Sequence, residues 1–240
     1  MKVVIFAGGL GSRIAEETED KPKPMIQLNG DPIIWHLMNS FSLQGLNDFV
    51  ILTGYKSEVI DSWLQNNKIL NSNLKEMSVQ TINTGLYAQT GERLLAAMKH
   101  LPNQSIIVTY GDGLANVSIA KLLNFHTSHR KLATVTAVRP PARFGYMKIQ
   151  NDKVTKFGEK NQSDEGWING GFFVLNKEVV NYIKLTDGPF ETGALMRLTD
   201  DSQLMAYKHT GFWQPMDTLR EKRELEKYAM MSTPPWLNIN

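Results

Sequence analysis

The chain has no cysteine, which removes disulfides, thiolate metal sites and thiol nucleophiles from its chemistry. Long apolar runs are missing as well. Only five apolar residues separate Met1-Lys2 from Gly8, too few for a secretory-signal core, and no stretch approaches the ~20 residues of a membrane span. Neither sign of charge dominates: 26 Lys and Arg stand against 24 Asp and Glu, a formal net charge of +2. A surface that tracks nucleic acid along its whole length is thereby excluded. Any anion site has to be local. These absences point to a cytoplasmic protein whose partners are neither membrane nor nucleic acid. What is present, 240 residues of which 42% are hydrophobic, suffices for one sizeable core. With no internal repeat, low-complexity tract or splitting linker, residues 1–240 read as a single domain.

Short apolar runs alternate with amphipathic stretches. VVIF (3–6), FVILT (49–53), IIVTY (106–110), TVTAV (134–138) and FFVL (172–175) read as strands, being rich in β-branched and aromatic residues. IIWHLMNSF puts Ile33, Ile34, Leu37, Met38 and Phe41 on one helical face, with Asp31 as the expected N-cap and Pro32 in the first turn. SEVIDSWL, ERLLAAMKHL and SIAKLLNFH repeat that period. Thr218 and Glu221 have the spacing of a capping box that opens the helix LREKRELEKYAMM. The β-α-β-α order to about residue 130 implies the α/β class, with a mostly parallel sheet covered by helices. MKIQNDKVTKF reads as two strands around Asn151-Asp152, so the later sheet is expected to be mixed.

The first strand runs into GGLGSR, residues 8–13. A strand, a glycine loop and a helix start are the layout in which backbone N–H groups receive phosphate. Two familiar versions fail: Ile14 stands where a dinucleotide fingerprint needs its third glycine, and no Lys follows Gly11 as a P-loop requires. Glycines alone are also explained by a tight turn. The cations shift the balance. Arg13 follows the glycines, where a guanidinium can fork onto phosphate oxygens. Lys23 is braced by Pro22 and Pro24, which restrict its backbone; Lys21 lacks that bracing on both sides and also reads as a surface residue. His126 and His129 share a helical face without a third ligand nearby, so a solvated helix end is expected there.

GGLGSRI followed by PKPM resembles the signature of the sugar-1-phosphate nucleotidyltransferases. The similarity covers almost the whole chain, through GYKSEVI, TGERL, TYGDG, ATVTAV, PPARFG, FGEK, INGGFFVL, GFWQPMDTLREK and the closing PPW. The cytidylyl branch is the nearest. The resemblance implies a Rossmann-like fold and Mg²⁺-dependent transfer of CMP from CTP to glucose 1-phosphate, with release of pyrophosphate. UTP or dTTP, another phosphorylated acceptor, and a non-catalytic nucleotide-sugar-binding regulator remain alternatives, and homo-oligomerisation is left open.

By the same resemblance Arg13, Lys23 and Asp112 are catalytic. Phe6, Ala7, Gly8, Gly9 and Leu10 line the nucleotide with their backbone, and Gly11, Ser12 and Arg13 wrap its phosphates. Thr84, Ala88, Gly91, Arg93 and Gly111 complete the nucleotide contacts. Glu159, Lys160, Asn169 and Gly170 are assigned to the sugar phosphate, and Asp112 with Asp217 to the metal. Each has a plainer reading. Asp112 could be a turn residue, Asp217 a helix start, Arg93 a solvated helix residue, and WINGGFF a strand with a bulge.

Overall fold

The computed structural model describes all residues except 71–75, 102–103, 141–144, 160–165, 187 and 240, and gives the backbone alone for 67–70, 145–149 and 156–159. Its centre is a seven-stranded sheet. The strands are β1 (Val3–Ala7), β2 (Asp48–Thr53), β3 (Ser78–Asn83), β4 (Ile106–Tyr110), β5 (Ala133–Val138), β6 (Ile168–Leu175) and β7 (Leu204–Lys208). Their spatial order is β7-β5-β6-β4-β1-β2-β3. Every pairing is parallel except the two made by β6, which runs antiparallel to both β4 and β5. The sheet is therefore mixed, as expected, but for a different reason. The hairpin Gly145–Gln150 and Lys153–Glu159 pairs only with itself, as a separate two-stranded sheet.

Both faces of the sheet are covered, which is why β1 is apolar at every position. Alternation sends Val3, Ile5 and Ala7 into one core and Val4 and Phe6 into the other. The first core takes helix α1 (Ile33–Ser42), Leu225 of the final helix and Trp236. The second takes Leu94 and Ala97 of the helix Thr90–Met98 and Leu198 of Ala194–Asp200. Helix α1 begins one residue later than the sequence suggests. Pro32 occupies the N-cap position and Asp31 instead pairs with Leu28 in a two-residue ladder, so a short strand claims the residue that the cap pattern assigned to the helix. The capping box at Thr218 and Glu221 is present, opening the helix Leu219–Ala229.

From β1 the chain moves outward to β2 and β3, then crosses back to β4 on β1's other side. That makes the C-terminal ends of β1 and β4 a topological switch point, where open α/β sheets leave a crevice. Among the described residues, no helix is long and apolar enough to cross a membrane.

Several histidines are structural. His126 is buried, with Nδ1 2.8 Å from Thr134 Oγ1 and Nε2 2.9 Å from Asn176 Oδ1, and His129 Nε2 lies 2.7 Å from the same threonine hydroxyl. The expectation of a solvated helix end fails for His126, because a buried imidazole is held where both nitrogens find partners. Burial holds His36, His129 and His209 below the ordinary imidazole value. The unfolded chain binds protons that these rings refuse, so stability is full above about pH 6.5 and declines as pH falls through that value. The denaturation midpoint is expected to be lower at about pH 5.5 than at about pH 7.5; equal midpoints would contradict neutral, half-buried rings.

Candidate active site

The crevice at the switch point is a cleft of about 500 Å³, lined by residues 6–13 and 86–90 together with Lys23, Pro24, Arg93, Tyr110 and Asp112. The glycine loop is held from behind. Gly8 O accepts from Tyr55 N–H at 3.2 Å and from Arg93 Nη2 at 2.8 Å, which saturates the carbonyl. A trans peptide places the next N–H on the opposite side, so Gly9 N–H is turned away from Arg93. A side chain at residue 8 could not coexist with this arrangement, since a Cβ there would fall 2.1 Å from Arg93 Nη1. At residue 9 a Cβ would meet nothing within 4 Å.

Two acids come to the cleft by a small device. Strands Gly113–Ala115 and Trp213–Pro215 pair antiparallel, and Met216 N–H donates to Asp112 O at 2.8 Å. This ladder sets Asp112 beside Asp217 although they lie far apart in the chain. Glu221 Oε2 accepts the N–H groups of Asp217 (2.8 Å) and Thr218 (3.0 Å), so the cap of the final helix also fixes the acid's backbone.

Between the acids lies the ammonium of Lys23, 2.7 Å from Asp112 Oδ2 and 2.6 Å from Asp217 Oδ1. Arg13 Nη1 reaches Asp217 Oδ2 at 2.6 Å. Lys23 is 7% exposed. Burial works against its charge, but the pull of Asp112 and hydrogen bonds to both carboxylates outweigh that, so its proton is held more tightly than in ordinary lysine. The backbone explains the aim: Pro22 is extended and Pro24 follows, so the lysine starts its short 3₁₀ turn in a fixed direction. Lys21 does not join this cluster and lies 3.6 Å from its neighbour Asp20.

A second polar cluster adjoins the cleft wall at Tyr110. Its hydroxyl donates to Glu191 Oε1 and accepts from Asn169 Nδ2 at 3.1 Å, while Thr90 Oγ1 donates to Glu191 Oε2 at 2.8 Å. Asn169 sits at a register break in β6, so the plain reading of WINGGFF as a bulged strand is correct, and the bulge aims the amide. Gly170, which the resemblance assigns to the sugar phosphate, and its neighbour Gly171 are both packed closely on the side where a Cβ would stand. A Cβ at Gly170 would lie 2.6 Å from Val138 Cγ1, and one at Gly171, where φ is +75°, would lie 2.9 Å from the Tyr110 ring. The space is taken by protein.

A sequence model described as nucleotidyl transferase matches residues 2–218. The chain belongs to that family. Curated relatives named glucose-1-phosphate cytidylyltransferase, from Salmonella typhi and Salmonella typhimurium, are 41% and 40% identical, each match covering 98% of both chains. A probable glucose-1-phosphate cytidylyltransferase from Bacillus subtilis is 35% identical over 98% of this chain and 99% of its own. Among solved structures, a putative glucose-1-phosphate thymidylyltransferase from Bacillus anthracis, in complex with a sucrose, superimposes with a TM-score of 0.73 at 22% identity, covering 100% of this chain and 96% of that one. A UDP-glucose pyrophosphorylase complexed with UDP-glucose reaches 0.72 at 15% identity, covering 94% and 97%. Both structures speak to the fold, which is that of this nucleotidyltransferase family.

Within this family member, residues 6–13 with Lys23, Ala88, Arg93 and Asp112 line the cleft together. Thr84, Gly91 and Gly111 stand behind it. Thr84 Oγ1 bonds Thr53 O at 2.9 Å and accepts from Arg93, while the faces of Gly91 and Gly111 pack on Gly188 O and Phe6 O. The solvated reading of Arg93 fails, for it is 3% exposed and binds the carbonyls of Gly8, Thr53 and Leu86. The backbone of Glu159 ends a strand, but its side chain and all of Lys160 lie outside the described residues. Sequence reasoning passed over Tyr110 and Thr90 as site residues; Tyr110 sits inside TYGDG, where only the aspartate carried a chemical signal. Replacing Gly8 by Ala is expected to lower the melting temperature by roughly 2–10 °C, while Gly9→Ala shifts it by less than about 2 °C. Equal shifts in a thermal melt would refute the packing of Arg93 against Gly8.

Proposed function

We propose that this chain transfers CMP from CTP to glucose 1-phosphate. A phosphate oxygen of the acceptor attacks the α-phosphorus of CTP, the bond from that phosphorus to the bridging oxygen of the β-phosphate breaks, and CDP-glucose forms as pyrophosphate departs. The observation that carries this reading is the Lys23 ammonium held between Asp112 and Asp217 at the side of a glycine-lined cleft. The identity of 41% over 98% of the Salmonella typhi relative supports the choice of base and acceptor.

No protein nucleophile is needed. The chain's work is positioning and charge stabilisation. Amides of the glycine loop and the Arg13 guanidinium meet the triphosphate, and Lys23 neutralises the charge that moves onto pyrophosphate. Asp112 and Asp217 fit Mg²⁺: both carboxylates reach a single cationic atom, Lys23 Nζ, at 2.7 and 2.6 Å, so they converge on a space one cation wide. Among the described residues there is no cluster of three or more acidic, His or Cys ligands, and magnesium commonly takes one or two carboxylates with phosphate oxygens and water completing its shell. Bound there, the ion supplies further neutralisation of the phosphates.

Purified protein with CTP, glucose 1-phosphate and Mg²⁺ is expected to release pyrophosphate and form CDP-glucose, more efficiently than with UTP or dTTP. Asp112→Asn should keep the fold by circular dichroism and lose at least about a hundredfold in kcat. Silence of the wild-type chain across nucleotides and acceptors would sink the proposal, and full activity of the variant would remove the metal role from Asp112.

A further inference from the structure

Behind the glycine loop the chain makes two short helical pieces, Ser12–Ile14 and Ala15–Thr18. Helices so short do not hold themselves in water, so their position is set by what they are tied to. Ile14 and Thr18 are buried. Tyr55 fixes both ends of the run: its N–H donates to Gly8 O at 3.2 Å and its hydroxyl to Thr18 O at 3.0 Å. Two ion pairs then cross to the final helix, Leu219–Ala229, and to the turn that opens it. Arg13 Nη1 lies 2.6 Å from Asp217 Oδ2, and Lys222 Nζ lies 2.6 Å from Glu17 Oε1. On each side the two partners are about one helical turn apart, so the contacts form a double tie.

The two ties differ in where they face. Arg13 lines the cleft, and its side chain is 74% exposed. Neither Glu17 nor Lys222 lines the cleft, and their side chains are 26% and 18% exposed. Lys222 Nζ also lies 3.5 Å from Glu226 Oε1 on its own helix. Burial works against the lysine's charge, but the hydrogen bond to Glu17 and the pull of both glutamates outweigh it, so its proton is held more tightly than in ordinary lysine. Under the proposed function Arg13 serves the triphosphate and Asp217 the metal, so the inner contact is made of groups with other work during turnover. The outer contact is not.

We infer that Lys222, acting through Glu17, is a positioning residue that keeps the Arg13 loop in register with Asp217 while substrate is bound. This rests on the proposed function. Misplacing a reacting group by about 1 Å can cost roughly a hundredfold in rate, and here the groups to be aligned come from opposite ends of the chain. The final helix carries Asp217 just before its capping box and Lys222 about one turn further on, with Glu221 fixing the backbone between them. A hold on Lys222 is thereby passed to the acid. On the other side Glu17 and Arg13 belong to a run closed on itself, by Ile14 N–H to Gly11 O at 3.0 Å and by Thr18 Oγ1 to Gly11 O and Ile14 O at 3.3 Å.

The experiment measures how strongly Mg²⁺ tightens the binding of CTP. Kd for CTP is determined by calorimetry in EDTA and in excess Mg²⁺, without acceptor, for wild type, Lys222→Met, Lys222→Arg, Glu17→Gln and the double variant Glu17→Gln/Lys222→Met; kcat and melting temperature are recorded alongside. In Lys222→Met, Kd in EDTA should stay within about twofold of wild type, because Tyr55 still holds the loop. The gain on adding Mg²⁺ should shrink by about five- to tenfold, and kcat should fall by about tenfold. Glu17→Gln, which keeps the shape and removes the charge, should do the same, and it carries the test alone if Lys222→Met does not fold. The double variant should be no worse than either single one, and Lys222→Arg, which keeps a cation in place, should recover most of the loss. A pair that merely supports the fold would lower the melting temperature and leave the Mg²⁺ gain at its wild-type value. That outcome, or losses that add in the double variant, overturns the inference while the proposed function stands. A wild-type chain that binds no CTP, with or without Mg²⁺, would overturn both.

Discussion

An ammonium group buried between two carboxylates organises this molecule. Removing a charge from water costs several kcal/mol unless partners replace the lost solvation. Lys23 finds two, from residues 89 and 194 positions away. Neither can arrive without the fold: Asp112 needs β4 beside β1, and Asp217 needs the Trp213–Pro215 ladder and the cap of the final helix. The prolines on either side of Lys23 narrow its choices before any of this forms. Site assembly and chain folding are thus one event, and the charges that meet in the cluster are balanced, with Lys23 and Arg13 opposite Asp112 and Asp217.

The glycine loop works on a complementary principle. The Gly8 carbonyl is tied from behind to Tyr55 and Arg93, which turns the next N–H away from them. Arg93 is decisive here, although its charge never needs to touch the nucleotide. By binding the carbonyls of Gly8, Thr53 and Leu86 it joins the loop after β1 to the end of β2 and to the segment that follows β3. A guanidinium suits this task because its donors lie in a rigid plane. Burial lowers its pKa only against a very high starting value, so it remains a cation inside the wall and adds positive potential behind the amides. Preorganised dipoles of this kind need no rearrangement when charge develops.

How much of this was legible in the sequence depends on whether the signal was local. The five inner strands and the main helices carry their periodicity within a few residues, and each was found within a few positions, although β6 begins at Ile168 rather than at Phe172. The edge strands β3 and β7 escaped. SVQTIN and LMAYK are half exposed, so they lack the apolar run that marks a buried strand. Gly-rich loop, braced lysine and acids could be named because residue type and neighbours restrict their uses. Arg93 and Tyr110 could not be assigned their actual partners, since these are carbonyls and a carboxylate set by tertiary packing.

Two polar clusters of different character therefore meet at the cleft. At Lys23 and Arg13 the protein offers full charges, which attract any polyphosphate and discriminate little among bases or sugars. At Tyr110 it offers a neutral donor and acceptor whose directions are fixed by a carboxylate kept one bond behind them. An enzyme that joins two polyanions needs that division, because electrostatic attraction alone would admit every phosphorylated sugar equally.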